Sequence, residues 1–226
     1  MKLLLKPRYL SIFSLSLLLL AGSPSSVAQT GQIIRLDGGN VTYAFGVNER
    51  GDLQPLYWGG RLGAHESIPA PHSFPEMASF DSPATTTPQE YSGWGAGLFT
   101  EPALKISFAD GNRDLVLHFA RIAANNSNSA DVVLKDISRE VYVTLHYSMD
   151  EKSGILARSA NIENREKQPV VIEQAAFAQW RLPPARYTMS YLTGRWAGEW
   201  TLNQELLCTR YGRHVMPLSR RQFEYD

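Results

Sequence analysis

The chain has 226 residues, of which 43% are apolar, and it contains 17 Gly and 13 Pro. This composition is typical of one globular domain with many turns and excludes a disordered or fibrous chain. The 22 basic and 22 acidic residues balance and form no basic block, so nucleic acid is not an expected partner. A single cysteine, Cys208, excludes an internal disulfide framework and a metal site built from several cysteines.

The first 28 residues are predicted to be a signal peptide. They contain three basic and no acidic residues, and an apolar run at 10–21 is followed by small residues that end at Ala28. The run is shorter than the roughly 20 residues that a membrane-spanning helix needs. We therefore expect cleavage after Ala28 and an exported chain, periplasmic or secreted, with no membrane attachment after cleavage.

A β-hairpin is predicted at positions 140–164. Residues 140–149 alternate between an apolar and a more polar face, and residues 155–164 repeat the alternation after a turn at 150–154. The apolar face of the first strand consists of Val141, Val143, Leu145, Tyr147 and Met149. One face of the second strand consists of Leu156, Arg158, Ala160 and Ile162.

Short strands and turns recur along the rest of the chain. Further strands are predicted at 41–47, 52–57, 104–108, 115–119, 170–180 and 187–193. Gly-containing turns at 48–51 and 110–112 separate the first two pairs of these strands in the manner of hairpins. Strands at roughly 8 to 12 residue spacing predict an all-β fold, an antiparallel sandwich or a barrel with long Pro- and Gly-rich loops.

Two stretches lack strand alternation. Residues 59–87 form a long Pro-rich segment, and a loop of this length in a compact domain is usually functional or packed against something else. We therefore expect this segment at an interface. Residues 207–226 lose the alternation of the preceding strands, and we predict an irregular tail there, for which a frame shift is one explanation.

The sequence contains no complete catalytic constellation. The five histidines lack the close spacing of a zinc site, and we find no nucleophile elbow, phosphate loop or dinucleotide fingerprint. His118 and His146 fall on outward strand faces, where a solvated or hydrogen-bonded histidine is the expected state. Acidic pairs such as Asp131 with Asp136 are interpreted as solvated surface groups. We expect no catalytic residue, no metal ion and no cofactor in this chain.

Residues 192–200 form a candidate sugar-facing loop, in which Trp196 and Trp200 stand beside Arg195 and Glu199. An aromatic ring stacks on the apolar face of a pyranose, while arginine and glutamate side chains bond its hydroxyls. The same tryptophans can equally fill a sandwich core or a seam between domains.

A second unusual segment, residues 79–108, allows the family to be recognised. It carries a Pro- and Thr-rich loop, then Gln89-Glu90-Tyr91 with Trp94, and a Gly-rich run that leads into Pro102-Ala103 and a strand. This combination resembles the N-terminal domain of the glycoside hydrolase family 36 alpha-galactosidases. The positions that match the family are Glu90, Tyr91, Gly95, Pro102 and Ala103, which we interpret as chiefly architectural. The turn at Glu90-Tyr91 is expected to dock on a partner domain.

The resemblance implies a large, supersandwich-like β-sandwich that precedes a (β/α)8 barrel, where two Asp hydrolyse terminal alpha-galactosides with retention. It also implies that Trp196 faces the substrate cleft, with Arg195 and Glu199 beside it. A barrel of this kind needs about 250 residues, and 20 positions follow Leu206. We therefore expect residues 29–206 to be the sandwich and the catalytic pair to lie outside this chain.

Two function classes follow from these observations. In the first, the chain is the N-terminal domain of an exported alpha-galactosidase, inactive alone, whose partner is the missing barrel and whose galactoside substrate binds only in the full-length enzyme. In the second, it is a stand-alone carbohydrate-binding module that uses Trp196, Trp200 and Trp94.

Overall fold

The computed structural model describes residues 31–74, 87–95, 101–182, 186–208 and 215–217. The predicted signal peptide and much of the Pro-rich segment lie outside these residues. The strands are β1 (Ile33–Gly38), β2 (Val41–Val47), β3 (Leu53–Gly60), β4 (Leu104–Ser107), β5 (Leu117–Asn125), β6 (Ser129–Asp136), β7 (Val141–Met149), β8 (Leu156–Asn164), β9 (Val171–Ala175), β10 (Gln179–Arg181), β11 (Arg186–Thr193), β12 (Thr201–Cys208) and β13 (Val215–Pro217). Among the described residues no helix is long and apolar enough to cross a membrane.

The front sheet is the antiparallel meander β1-β2-β3. Its second hairpin confirms the prediction made for residues 41–57. The turn at 48–51 is held by Asn48, whose side-chain oxygen accepts hydrogen bonds from the backbone N–H groups of Arg50 and Asp52, both at 3.0 Å. Gly51 has a φ of +85°, a conformation that glycine adopts without steric cost.

The back sheet has the order β5-β6-β7-β8, and all of its pairs are antiparallel. The predicted hairpin at 140–164 is confirmed as β7 and β8. The predicted apolar face of β7 is buried along its whole length, while the residues between these positions are at least partly solvent-accessible. This alternation follows from the two-residue period of side chains along a strand.

The two sheets face each other across one hydrophobic core. The rings of Phe45 in the front sheet and Tyr147 in the back sheet stack with centroids 4.4 Å apart. Ile34, Leu36, Val143 and other strand residues from both sheets belong to the same buried cluster. The predicted all-β antiparallel sandwich is therefore confirmed.

The strands around the turn at 110–112 are correctly located but do not form a hairpin. Strand β4 pairs with β9, and β5 pairs with β6. The intervening chain is held instead by contacts outside a ladder, because Leu115 accepts a hydrogen bond from Gly95 N and Val116 N donates to Asp136. These contacts separate β5 from β4.

The single strand predicted at 170–180 is also wrong, because β9 and β10 are separate strands. Ala178 and Gln179 are consecutive and both buried, so the two-residue alternation of one strand is not kept into β10. Ala176 N donates to Ala103 O at 2.8 Å, and Tyr91 donates through its hydroxyl to Ala176 O at 2.9 Å. These hydrogen bonds hold the segment between β9 and β10 against the core.

The C-terminal part of the chain contains strands β12 and β13, which pair with the earlier strands β11 and β10 respectively. Strand β12 continues to Cys208, and β13 pairs with β10 so that Trp180 lies opposite Met216 in the register. The boundary expected after residue 206 therefore falls within β12.

The segment that follows β3 covers part of the front sheet. Leu62 N donates to the hydroxyl of Thr42 at 3.0 Å, and Arg35 donates to the Leu62 carbonyl oxygen. Asp37 accepts hydrogen bonds from the Thr42 hydroxyl and from Arg35 Nε. The Pro-rich segment thus begins as a layer packed on its own domain.

Replacing Asp37 by asparagine tests this layer. Burial raises the pKa of the Asp37 carboxyl, but hydrogen bonds from Thr42 and Arg35 and the nearby positive charges outweigh it and hold that pKa below its usual range. The carboxylate therefore stabilises the fold above the unfolded-state pKa of about 4, and this stabilisation is lost as the pH falls through the lower folded-state pKa. We expect Asp37→Asn to cost about 1 kcal/mol at pH 7.

Thermal unfolding midpoints at pH 7 and at successively lower pH values measure this cost. The gap between the wild-type chain and Asp37→Asn is expected to shrink as the pH falls below about 4. Asp114→Asn is the control, because the exposed Asp114 carboxylate accepts no hydrogen bond within the part of the chain that the structure describes. A gap of equal size at every pH would contradict the assignment.

Candidate functional site

The predicted sugar-facing loop is the tip of a two-stranded ribbon. Strands β11 and β12 pair over their whole length, from Arg186 opposite Cys208 to Thr193 opposite Thr201. Within the described residues, these two strands pair only with each other. The ribbon therefore presents residues 194–200 at the end away from Arg186 and Cys208.

A tight turn shapes the tip. Gly198 N donates to Arg195 O at 2.8 Å, and Ala197 has a φ of +66°, which a residue with a Cβ adopts at some cost in strain. Glu199 accepts a hydrogen bond from Ala197 N at 2.8 Å. Gly194 has a φ of +155°, and a Cβ there would lie 2.6 Å from Glu199 Cα, so this position requires glycine.

The turn leaves both tryptophans in solvent. Trp196 is 92% exposed and Trp200 81% exposed. Arg195 and Glu199 are exposed on the same short loop, so the structure places the three residues predicted to bind substrate within one turn. This exposure excludes the alternative in which Trp196 and Trp200 fill the core of this sandwich.

The Glu90-Tyr91 turn has a different environment from the one predicted. The side chains of Glu90 and Arg158 are 1% and 2% exposed, and Arg158 Nη2 lies 3.0 Å from the Glu90 carboxylate. The same carboxylate accepts hydrogen bonds from the hydroxyls of Tyr43 and Tyr147, at 2.7 Å and 2.9 Å. The prediction that this turn docks on a partner domain is wrong for Glu90 and Tyr91, because both side chains are buried in the sandwich itself.

Arg158 is the centre of this buried network and was not identified as a key residue from the sequence. It donates to the carbonyl oxygens of Gln179 and Glu90, at 2.9 Å and 3.1 Å. Its guanidinium lies 4.8 Å from the ring centroid of Tyr147 and 4.7 Å from that of Trp180. Its position on one face of β8 with Leu156, Ala160 and Ile162 was the available signal, since a charge among apolar residues requires a partner.

The electrostatics of the network indicate a structural role. Burial and the nearby Glu90 carboxylate raise the pKa of the Tyr43 phenol, and burial likewise raises that of Tyr147, so both remain neutral hydrogen-bond donors. Burial tends to lower the pKa of Arg158, but Tyr147, Glu90 and Tyr43 raise it above its usual value. Arg158 therefore stays charged, and the network closes on itself inside the core.

Trp94 is also partly exposed, but cations occupy its ring. Lys105 Nζ lies 4.8 Å and the Arg113 guanidinium 5.6 Å from the ring centroid. Each cation is itself paired, Lys105 with Glu101 and Arg113 with Glu173. Trp94 is thus part of a surface ion-pair cluster.

His146 and Asp136 both have hydrogen-bond partners inside the domain. His146 bonds Asp131 at 2.7 Å on the outward face of the back sheet, which confirms the expected hydrogen-bonded state of His146. Asp136 is buried and accepts a bond from Val116 N, so its assignment as a solvated surface group is wrong. Among the residues that the structure describes, no group of three or more His, Cys, Asp or Glu is placed to hold a metal ion.

Fold and site together define a β-sandwich domain with a buried ion-pair network and an exposed aromatic ribbon tip. The family model described as the glycosyl hydrolase family 36 N-terminal domain matches residues 51–220. The chain therefore belongs to glycosyl hydrolase family 36 and corresponds to its N-terminal domain.

Several known proteins are similar to this chain. The curated alpha-galactosidase AgaA of Geobacillus stearothermophilus is 25% identical in an alignment of 202 residues that covers 77% of this chain and 27% of AgaA. The probable alpha-galactosidase C of Aspergillus flavus is 26% identical in an alignment of 195 residues that covers 78% of this chain and 26% of that protein. The chain thus spans about a quarter of the length of these relatives.

Solved structures share the fold. The alpha-galactosidase AgaB of Geobacillus stearothermophilus superposes with a TM-score of 0.67 at 22% identity, over 79% of this chain and 28% of AgaB. The alpha-galactosidase from Lactobacillus brevis gives a TM-score of 0.64 at 23% identity, over 80% of this chain and 28% of that chain.

Proposed function

We propose that this chain is the non-catalytic N-terminal domain of an exported alpha-galactosidase and has no hydrolytic activity alone. The main support is that a chain matching the family's N-terminal domain covers about a quarter of relatives named alpha-galactosidases. The partner in the complete enzyme is a catalytic (β/α)8 barrel, and its substrates are terminal alpha-galactosides. Export rests on the signal peptide proposed for residues 1–28.

Two of the described carboxylates, Glu90 and Glu199, are consistent with a domain that has no catalytic role. A glycosidase needs two carboxyl groups on opposite sides of the scissile bond, one of them able to donate a proton. Glu90 is enclosed by two phenols and a guanidinium, so it cannot reach a sugar. Glu199 bonds the backbone of its own loop.

The ribbon tip is proposed to contribute to the substrate site of the complete enzyme. Trp196 offers a nearly bare indole face, on which the apolar face of a galactose ring can stack. Arg195 and Glu199 stand beside it as donor and acceptor for sugar hydroxyls. The tight turn limits the number of loop conformations, which reduces the entropy that binding would cost.

The proposal is tested in a fusion of this chain to the remaining domains of AgaA from Geobacillus stearothermophilus. In an active fusion, we expect Trp196→Ala to raise the KM for raffinose about tenfold, because one aromatic stacking contact is worth up to about 1.5 kcal/mol. Trp200→Ala is the matched control, since Trp200 has similar exposure and lies on the same loop. Unchanged kinetics in Trp196→Ala would contradict the assignment of Trp196 to the substrate site.

A further inference from the structure

Trp58 forms a second exposed aromatic surface on the sandwich. It lies on β3, an edge strand of the front sheet, directly opposite Tyr43 in the register. Although it shares the inward face with Tyr43, Trp58 is 43% exposed because it stands at the open side of the sandwich. Trp180 from β10 packs against it, with centroids 4.8 Å apart and an interplanar angle of 32°.

Side chains of the core hold the Trp58–Trp180 pair in place. The Tyr43 ring meets both indoles edge-on, at 6.3 Å from Trp58 and 5.9 Å from Trp180. The Arg158 guanidinium lies 4.7 Å from the Trp180 centroid and is itself fixed by the Glu90 carboxylate. Trp58 is therefore already ordered, and a ligand that stacks on it would not have to restrict its rotamers.

The surface beside Trp58 is open. Residues two apart on a strand lie on the same face, and the neighbour of Trp58 on that face is Gly60. A Cβ built on Gly60 would meet no atom within 4 Å. The Tyr57 hydroxyl donates to the Gly60 carbonyl oxygen at 2.8 Å and fixes the end of β3, while the Arg61 guanidinium next in the chain donates to the Gly39 carbonyl oxygen at 3.2 Å.

We propose that the exposed face of Trp58 binds a pyranose ring. A rigid indole with open space beside it matches the apolar CH surface of a sugar. Galactosides are a suitable class, because their axial 4-hydroxyl leaves the CH groups on the other face free to stack. This site is separate from the ribbon tip and does not require the proposed role of Trp196.

Binding is measured by NMR on the complete chain, from the indole N–H signals during titration with methyl alpha-galactopyranoside. We expect millimolar binding that shifts the Trp58 signal, and affinity at least about tenfold weaker in Trp58→Ala. Gly60→Leu is the second variant, because its Cβ meets no atom within 4 Å and the rest of its side chain is designed to occupy the open space beside Trp58. It is expected to abolish binding while leaving the unfolding midpoint nearly unchanged.

Trp94→Ala is the matched control, since Trp94 has nearly the same exposure, 44%, but its ring is occupied by two cations. It is expected to bind like the wild-type chain. The proposal is overturned if no signal shifts at tens of millimolar sugar, or if Gly60→Leu binds normally. Binding that is lost in Trp196→Ala but retained in Trp58→Ala would also overturn it and would place the sugar at the ribbon tip.

Discussion

Replacing Arg158 by methionine is expected to cost about 3–5 kcal/mol of folding free energy, a large fraction of the roughly 5–15 kcal/mol that stabilises an ordinary domain. The substitution leaves the Glu90 carboxylate buried without its counter-ion, and two carbonyl oxygens, of Gln179 and Glu90, lose their donor. It also removes the cation that lies against the rings of Tyr147 and Trp180. Urea unfolding followed by tryptophan fluorescence measures the loss.

The matched control is Arg165→Met. Arg165 pairs with Glu163 at 2.7 Å near the end of the same hairpin, but both side chains are about half exposed. An exposed pair contributes at most about 1 kcal/mol. The double variant Glu90→Leu with Arg158→Met is expected to recover part of the loss, because it removes both buried charges. Equal stability of Arg158→Met and Arg165→Met would show that the buried pair does not hold the core.

Gly93→Ala is expected to be the most damaging single-methyl addition in the segment that carries the family signature. A Cβ at Gly93 would collide with the carbonyl oxygen of Leu115 and lie 2.9 Å from its carbonyl carbon. Backbone atoms cannot move aside as a side-chain end can. The same carbonyl accepts the hydrogen bond from Gly95 N, so displacing it also breaks the contact that separates β5 from β4.

We expect a loss of about 3 kcal/mol, the upper part of the usual range for overpacking a core. Soluble yield and the urea midpoint measure it. Gly60→Ala is the control, because a Cβ there meets open space and should change the free energy of unfolding by less than about 0.5 kcal/mol. If Gly93→Ala folds as stably as Gly60→Ala, the close approach between Gly93 and Leu115 is not present in solution.

The fold could be predicted from the sequence where local alternation decides it. The β7 and β8 hairpin was located to within about a residue, because its apolar face is continuous and a Gly-containing turn separates its strands. Pairing between distant segments could not be predicted in this way. The partnership of β4 with β9 joins residues that are far apart in sequence, and only tertiary contacts select it.

The candidate substrate site was predicted only in part, because a local sequence pattern marks some of its residues but not their tertiary contacts. The tryptophans of the ribbon tip stand out in the sequence because two of them lie among glycines and charged residues. Their exposure was undecided, since the same pattern fits a core. Trp58 and Trp180 were missed as a pair, because their contact depends on the packing of β10 beside β3 and leaves no local pattern.

The residues by which the family was recognised include Glu90, Tyr91 and Ala103, whose side chains are buried in the core. Glu90 lies in the sequence segment that carries the family signature, and the structure shows its carboxylate as an acceptor for Tyr43 and Tyr147 in the buried network around Arg158. A network of this kind fixes one arrangement of the two sheets, because each of its members would be costly to leave unpaired. The signature residues therefore stabilise the fold, while the ribbon tip is the proposed point of contact with substrate.

We propose that this domain carries no glycosidase chemistry of its own. This proposal is tested most directly by assaying the purified chain with p-nitrophenyl alpha-galactopyranoside, with the fusion to the remaining AgaA domains as the positive control. We expect no release of p-nitrophenol above the buffer rate from the chain alone and clear turnover by the fusion. Turnover by the chain alone that survives repurification and is lost in a variant of one of its own carboxylates would contradict the account.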